Sequence, residues 1–165
     1  MPLSWKKSRG KLGVLQPLLG TWIAEADSEI GPVRCIRVFE EVLNGAYVQL
    51  KARWEFRAIP TKASKDCGDV ASLAKKPYEE VALIGPGDDG KLNFWSFQSD
   101  GKRSQGVIAD VSDIHESAIG FEAQMPGGLA RMAYWPDDSD GFRWAVESKN
   151  KKGWRRFVEH HYRSA

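Results

Sequence analysis

From residue 22 onward, apolar and polar positions alternate with a period of two. The clearest stretch is "AYVQLKARWEFR", residues 46–57. Ala46, Val48, Leu50, Ala52, Trp54 and Phe56 fall on one face, and polar or mixed side chains fall on the other, as in a half-buried strand. Twelve residues is long for a strand, and long strands suit a barrel or a strongly coiled sheet. Asn44-Gly45, just before it, is a hairpin turn signal. The same period predicts strands over 22–29, 33–42, 46–57, 78–85, 92–99, 103–111, 118–125, 129–135, 142–148 and 154–163. Turn-forming runs such as "GPGDDGK", "SDGK" and "KNKKG" separate them. Ahead of the first strand, Leu12, Leu15, Leu18 and Leu19 are spaced as in a helix that Pro17 interrupts and Gly20 ends, so one short helix is expected.

About ten sequential antiparallel strands form a meander, and closing a meander removes its exposed edges. The expectation is an all-β protein: a closed antiparallel meander barrel of about 8–10 strands with a short N-terminal helix. Residues 1–14 read as a tail and 15–165 as the barrel domain. The one long connection, 58–77, is mostly polar and is expected to be a flap at one end of the sheet.

Composition narrows the function. Seven Trp and seven Phe allow a large core, and a formal charge of +2 offers no argument for nucleic acid or an anionic membrane as partner. No apolar run approaches the ~20 residues of a membrane helix. The basic N-terminus lacks the apolar region of a signal peptide, so a cytoplasmic location is expected. Cys35 sits in a strand as a buried thiol and Cys67 in a loop; neither belongs to a CxxC pair. No Gly-x-Ser-x-Gly, P-loop or His-Glu-x-x-His motif is present. His115 with Asp113 and Glu116 reads as an exposed turn, and Asp137, Asp138 and Asp140 lack the spacing of a calcium loop. No catalytic residue and no metal site are expected.

The short helical turn running into Gly20-Thr21-Trp22, followed by the strand series and "FVEHHYR", resembles the calycin group: lipocalins, fatty-acid-binding proteins and nitrobindin-like haem barrels. Over residues 15–163 the layout of "LLGTW", "FEEVLNGAYVQLKARWEF", "FWSFQSDGK" and "GWRRFVEHHYR" is most similar to a bacterial family of lipocalin-like proteins of unknown function. The resemblance implies that Trp22 closes one end of the barrel and that Arg163, on the last strand, stacks across its indole. It also implies a small apolar or amphipathic ligand within the barrel. Nitrobindin-like barrels take an axial histidine from the last strand, which would make His160 a haem ligand. Ala24 and Ala26, however, stand where those proteins have glycines that let the haem approach. Fatty-acid-binding proteins grip a carboxylate with Arg-x-Tyr; His160-x-Tyr162 has that spacing, with Arg156 further back.

Parity divides the last strand into Trp154, Arg156, Val158, His160 and Tyr162 on one face and Arg155, Phe157, Glu159, His161 and Arg163 on the other. The first, more aromatic set is expected inward; a bulge would reverse part of it. The expected site is therefore a pocket walled by Trp54, Trp95 and Trp144, with Arg156, His160 and Tyr162 at its polar end. The alternatives are haem or enzyme chemistry at His160, or an interior filled solid that serves as a protein-interaction scaffold.

Overall fold

The computed structural model describes residues 5–28, 31–56, 76–137 and 140–165. Ten antiparallel strands form one closed barrel in sequential order: β1 (Gly20–Ser28), β2 (Gly31–Val42), β3 (Tyr47–Phe56), β4 (Tyr78–Pro86), β5 (Leu92–Gln98), β6 (Arg103–Ala109), β7 (Ile119–Met125), β8 (Gly128–Pro136), β9 (Gly141–Asn150) and β10 (Gly153–Ser164). The expected all-β meander is present. Its short helix is a single 3₁₀ segment, Gly13–Leu18, with Pro17 inside it. Among the described residues no helix is long and apolar enough to cross a membrane. Cys67 and nearly all of the expected flap at 58–77 lie outside the described residues.

Turn chemistry sets the registers. Leu43, Asn44 and Gly45 take consecutive left-handed conformations between β2 and β3, where Asn and Gly carry little steric cost. Gly20, at φ +129°, swings the chain from the 3₁₀ helix into β1. That places Trp22 under the barrel, where its indole N–H donates to Leu18 O at 2.7 Å and its ring meets Phe142 edge-on at 4.8 Å. Leu15, Leu18, Phe39, Phe142 and Tyr162 fill this end. Trp5, from the segment read as a tail, also packs here, 6.3 Å from Phe142, and donates to Ser117 O.

Trp22 is thus the floor plug, but Arg163 does not cover it. Arg163 pairs with Ile23, one residue beyond Trp22, and successive side chains on a strand point to opposite faces. Arg163 therefore stands exposed on the outer surface. The seam joining β1 to β10 is short: the only paired residues are Trp22 with Ser164 and Ile23 with Arg163, whereas β9 and β10 stay paired from Gly153–Asn150 to Arg163–Gly141.

A second, smaller core lies outside the barrel. Val111 and Ile114 of the β6–β7 loop cover Ala133, Trp135 and Ala145 on the outer face of β8 and β9. The loop also brings Asp113 onto Arg131, with bonds of 2.9 and 2.7 Å. Asp113 is therefore no acid–base partner for His115, whose Nδ1 accepts from the Ser117 amide at 3.0 Å. Asp137 forms an ion pair with His161; residues 138 and 139 of the acidic turn lie outside the described set.

Candidate functional site: a cavity with a buried arginine

The half of the barrel away from Trp22 encloses a cavity of about 570 Å³. Phe56, Tyr78, Gln98, Ser104 and Met125, all near strand ends opposite the floor, line it, so it opens at that end. The walls are mostly apolar. Leu50, Ala52 and Trp54 come from β3, and Ala82 and Ile84 from β4, because the inward parity of those strands carries the apolar side chains. Small side chains at positions 52 and 82, between larger neighbours, leave the space.

The expected site residues divide into two sets. Trp54 and Trp144 line the cavity. His160 and Tyr162 point into the barrel and are buried below it. Trp95 does not line it. On β5, Phe94 and Ser96 face in, which turns Trp95 out, where it meets Tyr47 edge-on at 6.5 Å. Arg156 is outside too. Register shifts between Arg156 and Val158, so a bulge at Phe157 reverses the parity of the start of β10. Arg156 pairs with Glu147 at 3.0 Å and lies 5.1 Å over the Trp135 ring. Trp154, also turned out, stacks on Arg131 at 4.2 Å. Phe157 itself stands at the cavity rim.

The cation that sequence reasoning missed is Arg37. It projects inward from β2 and is only 3% exposed. Its guanidinium lies 4.2 Å from the centre of the Trp144 ring, with Tyr134 at 5.7 Å and Tyr162 at 5.8 Å. This aromatic box supplies cation–π stabilisation, and one long hydrogen bond runs from Nη1 to the Tyr134 hydroxyl at 3.4 Å. No carboxylate lies within ion-pair distance of it among the described residues. The nearest on its inward row is Glu80, across Ala52, and Glu80 accepts from the Ser96 hydroxyl at 2.8 Å. A guanidinium does not deprotonate in a protein, so the cavity floor carries a fixed positive charge.

The surrounding groups are held neutral. Burial, followed by the charge on Arg37, lowers the His160 pKa to about 4. Burial raises Tyr134 to about 12 and the free thiol of Cys35 to about 11, and pushes Tyr162 up further still. Cys35 is thus the buried thiol expected.

No protein-family model matches this chain, and no curated protein sequence does. The closed ten-stranded antiparallel barrel is consistent with a calycin-like architecture. The His160 ring lies 5.1 Å from that of Trp54 and 5.2 Å from that of Trp144, and its Nδ1 faces the Tyr162 hydroxyl at 3.3 Å.

Proposed function

We propose that this protein is a lipocalin-like barrel that binds a small apolar or amphipathic molecule without transforming it. The observation that carries the reading is the cavity: about 570 Å³, open at one end and walled by apolar and aromatic side chains. That is within the size range of small-molecule sites, which combine apolar walls with a few polar anchors. An interior packed solid, as a pure scaffold would have, leaves no such volume.

The test uses Nile red, a neutral apolar dye that brightens on leaving water. Saturable binding to the parent is expected. It should be lost in Ala82→Phe and in Ala123→Phe, which fill the middle and the upper part of the cavity, while circular dichroism shows both still folded. Absence of saturable binding, or binding unchanged in both folded variants, would overturn the reading and leave the scaffold.

A further inference from the structure

At the floor of the cavity a buried hydrogen-bond donor lacks an acceptor. Arg37 Nε has none among the described residues, and the indole N–H of Trp144, which lines the same cavity, shares the Tyr134 hydroxyl with the guanidinium as its acceptor. A buried donor left unpaired is costly and uncommon, and one on a fixed charge marks a place where an acceptor is missing. The described residues do not supply it. Glu80 is separated from Arg37 by the width of β3 and is engaged by Ser96. Among the described residues the Tyr134 hydroxyl is the only acceptor bonded to the guanidinium, at 3.4 Å. The π faces of Trp144, Tyr134 and Tyr162 ease the charge but accept none of its in-plane N–H bonds.

We propose that the natural ligand is an amphipathic acid whose oxyanion head, a carboxylate or a group of the same geometry, seats against Arg37. The inference rests on the binding-barrel reading and specifies the chemistry of the ligand. A carboxylate offers lone pairs in one plane, the arrangement that a guanidinium edge recognises. The neighbouring Trp144 N–H provides a second donor on the same floor. The tail then runs past Ala52, Ala82 and Phe94 towards the open end, where apolar side chains cover it. Glu80 and Asp100 line the upper cavity and add negative charge there, so selection for an anion depends on Arg37 alone. The arginine lies on the second strand and reaches inside β1 and β10 to Trp144 of β9, and so stands apart from the last-strand arginine expected from sequence.

The test displaces Nile red with three probes of equal chain length, dodecanoate, dodecanol and dodecylammonium, each below its aggregation threshold. In the parent, dodecanoate should compete about tenfold or more better than dodecanol, the scale of a charge-assisted hydrogen bond. Dodecylammonium should compete worst. In Arg37→Met the advantage of the acid over the alcohol should vanish, while circular dichroism shows that the variant is folded. In Arg37→Lys the advantage should be partly kept, since the charge remains and the planar fork is lost. Equal competition by acid and alcohol in the parent, or an acid advantage that survives Arg37→Met, would overturn the proposal and leave the binding-barrel reading standing. Failure of Nile red and all three probes to bind would instead overturn that broader reading.

Discussion

The Arg37 guanidinium lies 4.2 Å from the centre of the Trp144 ring, and that stack joins β2 to β9 behind the short seam of β1 and β10. The arginine is buried and, among the described residues, has no ion-pair partner, so its charge adds little to the stability of the fold. Replacing a buried charge with an apolar side chain of similar volume is often neutral or stabilising. Arg37→Met is expected to raise the urea midpoint of the ligand-free protein or leave it unchanged. Trp144→Ala is expected to lower it by the equivalent of about 3–5 kcal/mol, through the cavity created and the loss of the cation's aromatic cover. A large drop for Arg37→Met would show that the arginine is structural.

Acid should weaken the fold through His160. Its pKa falls from 6.5 in the open chain to about 4 in the folded barrel, so the unfolded state binds more protons between those values. Stability is then full above pH 6.5 and is lost as the pH falls towards 4, by an amount on the order of 3 kcal/mol. Denaturant midpoints measured at pH 7, 6, 5 and 4 should trace this loss, and His160→Gln should flatten it. An imidazole NMR signal from His160 titrating near pH 6.5 would contradict the burial argument.

On the outer face, Arg131 and Glu147 form a buried pair, their side chains 4% and 8% exposed, with Nη2 2.7 Å from the carboxylate. Removing the arginine leaves Glu147 buried with only Arg156 beside it. Arg131→Ala is therefore expected to cost about 3–5 kcal/mol. Asp113, on the same arginine, is mostly exposed, and water screens its bond; Asp113→Ala should cost under about 1 kcal/mol. Thermal midpoints of the two variants would test the contrast.

At the barrel floor, Trp22→Ala is expected to cost about 3–5 kcal/mol, because the indole is buried against Phe142 and hydrogen-bonded to Leu18. Arg163→Ala, on the exposed outer face, should stay within about 0.5 kcal/mol of the parent. A double-mutant cycle should give no coupling between them; measurable coupling would place the arginine over the indole after all.

Much of the barrel could be read from the chain because alternation on strands such as β3 is nearly clean: Val48, Leu50 and Ala52 inward, with Gln49, Lys51 and Arg53 between them. The site was harder to read, for reasons that differ by residue. On β2 both faces carry apolar side chains, Val33, Cys35 and Phe39 inward and Ile36 and Val38 outward, so parity alone does not place Arg37. On β5 aromatic residues occupy both faces, and only pairing across the sheet shows that Trp95 lies over Tyr47. No glycine or proline marks the bulge at Phe157, yet that one extra residue moves Arg156 and Trp154 from inside to outside. Arg163 misses Trp22 by a single register step. In each case the deciding fact is a relation between strands, which no one segment contains.

The short seam between β1 and β10 makes this ring unequal in stiffness around its circumference. Above Ile23 and Arg163 the two strands share no paired residues, so at the mouth end they can part without any ladder having to break. The seam between β6 and β7 is short as well, paired only from Val107–Glu122 to Ala109–Gly120, whereas parting β2 from β3, paired from Val42–Tyr47 to Val33–Phe56, would mean tearing rungs. The barrel is clasped at its base and slit at two places along its rim. The clasps hold Trp22 and the floor together while the rim can yield at either slit without disturbing the box around Arg37.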